Sequence, residues 1–241
     1  MYKLSLAHLY PKLLNLHGST GNVTTILKRC EWRNITVDIT DINEGEKFNP
    51  QLFDICFIGS GQDLQQEIAA KELNQQKNAF WDAAESNTVF LGICGGYQLL
   101  GEYYQSHSKD IEGIGLLNTY TIAGEKRFTG NVTAKSEFIN PQEIVGFENH
   151  SGLTYIKEGT THLATTIIGK GNNGEDKTEG ARKRNVFGTY LHGPILPKNP
   201  HFTDYLIELA LEKKYDKKVK LEPLNDDIEI NTHKNLVGKK Y

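Results

Sequence analysis

The sequence has no long apolar run and no excess of basic residues. Because no stretch of about 18 or more apolar residues occurs, we expect no insertion into a membrane. The 27 Lys and Arg against 30 Asp and Glu give a net charge of −3, which argues against a broad phosphate-binding face and so against nucleic acid as a partner. The first residues, M-Y-K-L-S-L-A-H, are too polar for a signal peptide, and we expect a cytoplasmic protein.

Cysteine is also scarce. Three cysteines at wide spacing fit neither a disulfide framework nor a C-x-x-C metal site, so we expect no bound metal. Cys30 falls on an apolar helical face and Cys56 within an apolar strand, which indicates inert core residues. The G-x-x-x-x-G-K-[ST] loop that binds nucleotide phosphates is missing as well, and we expect no cofactor in this chain.

What is present predicts an α/β fold. Strand and helix patterns alternate along the first part of the chain, which predicts right-handed βαβ units and a mostly parallel central sheet flanked by helices. Ligands of such sheets bind at the carboxyl ends of the strands. The predicted strands are residues 4–9, 35–39, 53–58 and 89–94. Residues 62–86 predict two helices with a break near positions 74–78.

The second half of the chain is β-rich. Its predicted strands are residues 116–122, 130–134, 163–168 and 186–191, and residues 169–176 have the composition of a surface loop. A helix capped by Asn199, with Pro200 at its first position, is predicted next. We interpret residues 1–212 as a single domain and residues 213–241 as a charged C-terminal extension on the surface.

The run V-F-L-G-I-C-G-G-Y-Q-L-L-G at positions 89–101 indicates the chemistry. An apolar strand stops at Cys94, with glycines on both sides, and a helical pattern follows. This is the thiol counterpart of the G-x-S-x-G elbow, in which a sharp strand-to-helix turn holds a nucleophile above a sheet. Free N–H groups at the helix N-terminus stabilise negative charge beside the sulfur. The run therefore predicts acyl transfer through Cys94.

A thiol nucleophile of this kind needs a base. Lowering a thiol pKa by one unit requires about 1.4 kcal/mol, whereas a helix N-terminus typically supplies about 0.3–1 kcal/mol. A histidine partner is therefore expected. Among the eight histidines we rank His192 first, because it follows a predicted strand directly before Gly193. A second oxyanion donor is expected from the strand end G-S-G-Q-D at positions 59–63, although an ordinary βα turn has the same composition.

Three spaced motifs together resemble a class I, or triad-type, glutamine amidotransferase domain. They are G-S-G-Q-D at 59–63, G-I-C-G-G-Y-Q at 92–98 and Y-L-H-G-P at 190–194. The segment G-F-E-N-H-S-G at 146–152 is similar to the one that marks the cobyric and cobyrinic acid synthase branch. The resemblance spans residues 4–211 and implies the flavodoxin-like fold of that class. As a whole, the chain is most similar to free-standing glutaminase subunits that work with a Mur-ligase-like partner.

The resemblance also implies a role for each matching residue. Cys94 is the nucleophile that forms a thioester with glutamine, and His192 is its general base and acid. The implied substrate-binding residues are Arg127, Gln98, Ser60, Gly61 and Gly95. A guanidinium at position 127 suits the α-carboxylate of glutamine, which it can hold with two hydrogen bonds. Without the resemblance, a solvated charge beside Lys126 would be the preferred interpretation.

The activity that the resemblance implies is hydrolysis of L-glutamine to glutamate and ammonia. The ammonia would pass to a Mur-ligase-like subunit of a heterodimer, where ATP and Mg drive amidation of D-glutamate in lipid II, a peptidoglycan precursor. The chain departs from the common H-x-E pattern, since Pro194 stands two positions after His192. A dyad, an acid such as Glu148 or an acid from the partner are the alternatives. Alternative functions are a corrinoid-type amide synthase subunit, a cysteine hydrolase of the same fold and a non-catalytic scaffold.

Overall fold

A computed structural model describes residues 2–239 of the chain. The strands in that range are β1 (Lys3–Leu9), β2 (Thr36–Ile42), β3 (Ile55–Ile58), β4 (Val89–Ile93), β5 (Tyr103–Gln105), β6 (Asp110–Glu112), β7 (Thr119–Lys135), β8 (Glu143–Ile156), β9 (Ala164–Ile168), β10 (Thr178–Glu179), β11 (Ala181–Lys183), β12 (Val186–Thr189) and β13 (Leu191–His192). The helices are α1 (Thr20–Glu31), α2 (Asp63–Gln75), α3 (Lys77–Glu85), α4 (Gly95–Leu100), α5 (Ile195–Lys198), α6 (Pro200–Tyr215) and α7 (Asp227–Leu236).

The first sheet has the strand order β11-β12-β4-β3-β1-β2. Its strands run parallel except β11, which pairs antiparallel with β12 at one edge. Strands β3 and β4 are buried along their whole length, because helices cover both faces of the sheet. Residues of α1, α5 and α6 pack on one face, and residues of α2, α3 and α4 pack on the other. The predicted parallel sheet flanked by helices is confirmed, as is the break between α2 and α3.

The second sheet is built on a long hairpin of β7 and β8. The sequence predicted separate strands at residues 116–122 and 130–134, and this prediction was wrong, because both fall largely within β7. The pairing of β7 with β8 shifts between Ala123 and Phe128, so the hairpin is irregular at this point. The motif at residues 146–152 lies in β8, a strand that the sequence did not predict.

The strand predicted at residues 186–191 is interrupted. Strand β12 ends at Thr189 in the parallel sheet, and after Tyr190 the chain enters β13, which pairs with β8 in the second sheet. Residues 189–192 therefore cross from one sheet to the other, and we call them the crossing segment. This segment carries His192 away from the parallel sheet and onto the hairpin.

Two further details near the C-terminus differ from the predictions. Asn199 precedes α6 as expected, but its side chain does not cap the helix. It bonds instead to the backbone N–H and carbonyl of Val145 in β8, at 2.9 and 2.8 Å. The predicted surface extension is partly buried, since Val219 and Leu221 join the apolar core. Residues 240 and 241 of that extension lie outside the described range.

An ion-pair network holds the C-terminal extension against the core. Arg29 of α1 is only 2% exposed and bonds to Asp204 of α6 and Asp226 at distances of 2.6–2.8 Å. Arg33 donates to Asp204 and to the carbonyl oxygen of Glu222. In the part of the chain that the structure describes, no helix combines the length and the hydropathy needed to span a membrane.

Candidate active site

Cys94 occupies a sharp turn between β4 and α4. Its backbone angles, φ 51° and ψ −102°, lie in a region that residues with a side chain rarely adopt, so the turn is strained as expected for a nucleophile elbow. Glycine is required at position 96, because a Cβ there would collide with the carbonyl oxygens of Ile58 and Gly59. The Cys94 N–H donates to the carbonyl oxygen of Thr189 at 2.8 Å, which ties the elbow to the end of β12. The predicted elbow is therefore present.

The loop after β3 lies beside the elbow. Ser60 is buried, and its side chain is close enough to the Cys94 thiol to lower the pKa of that thiol. The Ser60 N–H donates to the hydroxyl of Ser19 at 3.3 Å. Within residues 2–239, the Gly61 N–H has no hydrogen-bond acceptor, and the Gly95 N–H is directed at the Cys94 sulfur. The N–H groups of Gly61 and Gly95 are thus the candidate oxyanion donors, while Ser60 acts through its hydroxyl.

Gln66 links these two sides of the site and was missed by the sequence reasoning. It lies in the first turns of α2 and is 5% exposed. Its Nε2 donates to the carbonyl oxygen of Gly61 at 2.8 Å. The same amide covers the elbow, because a Cβ at Gly95 would lie 2.6 Å from Nε2. The only signal that the sequence offers is a glutamine about one helical turn after a glycine-rich loop.

His192 lies in β13, opposite Phe147 of β8, and is 4% exposed. Its ring packs edge-on against the ring of His17, with centroids 4.9 Å apart. Burial, followed by the nearby His17, His150 and Lys198, lowers the pKa of His192 to about 3. His192 is therefore a neutral imidazole at physiological pH, which is the form that a general base needs. Its Nε2 is buried and has no hydrogen-bond partner among the described residues.

No carboxylate orients His192 within residues 2–239. The candidate acid Glu148 lies opposite Leu191, the neighbour of His192, so the alternation of a strand directs its side chain to the other face. Its two oxygens accept from the backbone N–H groups of Lys170 and Gly171 at 2.9–3.0 Å. Glu148 therefore fixes the loop after β9, and the structure does not bring this candidate acid to His192.

The Cys94 thiol is protonated at rest. Burial raises its pKa, while hydrogen bonds from Ser60 and from the Gly95 N–H, together with the positive charge of Arg127, oppose that rise. The negative charge of Glu179 raises the pKa further. The thiol of Cys94 and the imidazole of His192 are therefore both neutral in the resting site.

Arg127 and Gln98 are placed differently around this thiol. Arg127 lies in the irregular part of β7, is exposed, and donates from Nη1 to Oδ1 of Asn149 at 3.0 Å. Gln98 lies in α4, is buried, and donates from Nε2 to the hydroxyl of Tyr190 at 3.1 Å. Arg127 is thus available to a carboxylate from solvent, whereas the described contacts of Gln98 are internal.

A buried polar cluster backs the crossing segment and was also missed. The rings of His150 and Tyr190 stack with centroids 3.6 Å apart and planes within 4° of parallel. The Tyr190 hydroxyl also shares a hydrogen bond of 2.6 Å with the hydroxyl of Thr154. Burial lowers the pKa of His150 to about 4, so this ring is neutral as well. Within the described residues, no three His, Cys, Asp or Glu side chains are arranged to hold a metal ion.

Comparison with known proteins assigns the family. The sequence profile of the CobB/CobQ-like glutamine amidotransferase domain matches residues 5–200. The chain belongs to this family. It is an enzyme of the glutamine amidotransferase class, and its elbow cysteine lies at the carboxyl edge of the parallel sheet, where α/β folds bind their ligands.

Two relatives match this amidotransferase over nearly its whole length. It is 41% identical to the lipid II isoglutaminyl synthase (glutamine-hydrolyzing) subunit GatD of Staphylococcus aureus, over 99% of this chain and 97% of the relative. It is 38% identical to the GatD subunit of Streptococcus pneumoniae, over 94% and 87%. Among solved structures, a glutamine amidotransferase of Thermotoga maritima superposes with a TM-score of 0.57 at 16% identity, over 98% of this chain and 94% of the other. That structure shares the fold.

Proposed function

We propose that this chain is the glutaminase subunit of a lipid II isoglutaminyl synthase. The observation that carries the proposal is an elbow cysteine beside two candidate oxyanion donors, with a neutral buried histidine, in a chain related to GatD over nearly its full length. The ligase would be a MurT-like partner that holds ATP and Mg and amidates D-glutamate of lipid II. A cytoplasmic location and the absence of a cofactor in this subunit belong to the same proposal.

The proposed reaction has two halves. In the first, the Cys94 thiol loses its proton to His192 and attacks the side-chain carbonyl carbon of glutamine, and the oxyanion lies between the N–H groups of Gly61 and Gly95. The carbon–nitrogen bond then breaks, and His192 returns the proton to the departing ammonia. In the second half, His192 takes a proton from water, which attacks the γ-glutamyl thioester. The carbon–sulfur bond then breaks, glutamate is released, and His192 returns the proton to the sulfur of Cys94.

The environment of His192 supports a role for the partner. An imidazolium in a buried site without a carboxylate is unfavourable, as its lowered pKa indicates. We propose that a carboxylate of the ligase subunit approaches His192 in the complex and stabilises that state. The chain alone should then hydrolyse glutamine more slowly than the complex does. Equal glutaminase turnover by the isolated chain and by the complex would contradict this part of the proposal.

The decisive experiment compares two nitrogen sources. The wild-type chain and Cys94→Ala are each purified with the Mur-ligase-like protein of the same organism, and amidation of lipid II is measured with ATP and Mg. With glutamine, only the wild-type complex should be active. With ammonium chloride, both complexes should be active, since the ligase does not need the thiol. Glutamine-dependent amidation by the Cys94→Ala complex, or no amidation by either complex, would refute the proposal.

Arg127 is proposed to bind the α-carboxylate of glutamine. Its loss removes a contact made equally in the ground state and the transition state, so Arg127→Met should raise KM for glutamine and leave kcat nearly unchanged. Lys126→Met is the matched control, because it removes a neighbouring positive charge. If both variants raise KM equally, the effect is general electrostatics and the assignment of Arg127 is wrong.

A further inference from the structure

Glu179 is a buried carboxylate that the reaction above does not use. It is the last residue of β10 and is 0% exposed. Burial raises its pKa to about 7. Its Oε2 has no hydrogen-bond partner among the described residues. A buried polar oxygen without a hydrogen-bond partner lowers the stability of the fold, so a carboxyl group at this position is expected to have a compensating role.

The other oxygen of Glu179 bonds to the start of the crossing segment. Oε1 accepts from the hydroxyl of Thr189 at 2.5 Å and from the N–H of Tyr190 at 3.1 Å. The Thr189 hydroxyl in turn accepts from the N–H of Leu191 at 3.0 Å. One carboxyl oxygen thereby constrains, directly or through one hydroxyl, the three residues that precede His192.

The same contacts reach the nucleophile. The carbonyl oxygen of Thr189 accepts the Cys94 N–H, so the residue held by Glu179 also holds the strained elbow. The crossing segment makes the change from the parallel sheet to the second sheet within a single residue, Tyr190. Between the two sheets the backbone lacks the regular hydrogen bonds of a strand, so side-chain acceptors are needed for its N–H groups.

We propose that Glu179 is a positioning residue for catalysis, because its Oε1 anchors the crossing segment that sets His192 and Cys94 relative to each other. The proposal rests on the proposed glutaminase function. Glu179 does not contact His192 in the structure and is distinct from the acid that completes a triad. Its positioning role is exerted through the backbone of residues 189–191, apart from the effect of its charge on the Cys94 thiol.

Two neutral substitutions of Glu179 test the hydrogen bonds independently of the carboxylate charge, because both remove the charge and only one keeps the acceptor oxygen. Glu179→Gln keeps an oxygen where Oε1 accepts, and its amide nitrogen replaces Oε2, which accepts no hydrogen bond. Glu179→Met fills similar space and removes the acceptor. We expect Glu179→Gln to retain kcat and Glu179→Met to lose about 10- to 100-fold in kcat relative to it, with KM for glutamine unchanged. Equal kcat in the two variants overturns the proposal.

A matched control separates positioning from loss of stability. Asp54 is also a buried carboxylate, 5% exposed, and it accepts from the N–H of Ser5 at 2.8 Å. It precedes β3, at the edge of the sheet opposite the active site. Asp54→Leu should lower the melting temperature and leave kcat intact at a temperature where the protein is folded. If it lowers kcat as much as Glu179→Met does, Glu179 has only a structural role.

Two further measurements keep the test decisive. If Glu179→Met does not fold, Thr189→Val removes the hydroxyl that Glu179 binds, and it should lower kcat where Thr189→Ser does not; equal kcat in these two variants overturns the proposal. Alkylation of Cys94 by iodoacetamide needs no glutamine, and it should be slower in Glu179→Met than in Glu179→Gln. Equal alkylation rates refute the positioning role, whereas a wild-type complex that does not hydrolyse glutamine refutes the proposed function itself.

Discussion

The amide of Gln66 allows a sharp test of how the oxyanion site is held. Gln66→Leu keeps the approximate size of the side chain and removes the Nε2 donor to the Gly61 carbonyl oxygen. It also removes Oε1, which is buried without a partner among the described residues. The substitution therefore removes the hydrogen bond that restrains the loop at Gly61, while the leucine side chain still fills most of the space next to Gly95.

The expected magnitudes for stability and activity differ. An unpaired buried carbonyl costs about 1–3 kcal/mol, and loss of the unpartnered Oε1 offsets part of that cost, so the melting temperature should fall only slightly. For activity, a well-placed oxyanion donor is worth about 10²- to 10³-fold in kcat. Since the Gly61 N–H is loosened and not removed by Gln66→Leu, we expect a fall in kcat of about 10-fold, equivalent to about 1.4 kcal/mol.

The neighbouring residue supplies the control. Gln65 also has a buried Oε1 without a partner in the described range, but its side chain donates no hydrogen bond to the loop. Gln65→Leu and Gln66→Leu are compared in the complex by glutamate release, and melting curves are recorded for both. Only Gln66→Leu should lose kcat, with KM for glutamine little changed. Equal activity of the two variants would show that the Gly61 loop needs no restraint from Gln66.

Two further predictions concern stability. Burial, followed by His233, lowers the pKa of His201 to about 4, so the unfolded chain, in which the histidine pKa is about 6.5, binds the extra proton. The contribution of His201 to the free energy of unfolding is complete above pH 6.5 and is lost as the pH falls toward 4. In urea titrations at pH 7 and pH 4.5, His201→Gln should therefore show a smaller loss of stability at the lower pH than the wild type. Arg29→Met removes the buried guanidinium of the network and leaves the half-buried Asp226 unpaired, while Arg33 still pairs with Asp204, so it should cost about 3 kcal/mol in the same assay. Lys28→Met, which breaks an exposed pair, should cost less than about 1 kcal/mol.

Local patterns predicted the parallel sheet and the strained turn at Cys94. The apolar runs of β3 and β4 and the glycines around Cys94 are short-range signals, because burial on both faces and a strained turn each demand particular residues at adjacent positions. His192 was chosen for its place after a strand, although that strand ends two residues earlier than predicted. The position of Arg127 in an irregular part of β7 could not be read from its charged neighbours.

Contacts between residues that are far apart in the chain could not be predicted from the sequence. Glu148 was a reasonable candidate acid until the pairing of β13 with β8 fixed its register, which directs its side chain away from His192. Gln66 and Glu179 carry no motif, since each acts on a backbone group that only the folded chain brings near. A polar residue whose partner is a carbonyl or an N–H elsewhere in the chain has no sequence signature.

The crossing segment has a consequence for how the enzyme acquires activity during folding. The strand that precedes Cys94 pairs with β12, with Phe90 opposite Val186. His192 is held by the pairing of β13 with β8, in which it lies opposite Phe147. Both pairings join distant parts of the chain, and contacts of high sequence separation form late because loop closure must precede them. Helices and the β7–β8 hairpin can assemble earlier. A chain that has regained its secondary structure but lacks one of these two strand pairings does not bring Cys94 and His192 to their native positions. Glutamine hydrolysis should therefore report complete folding.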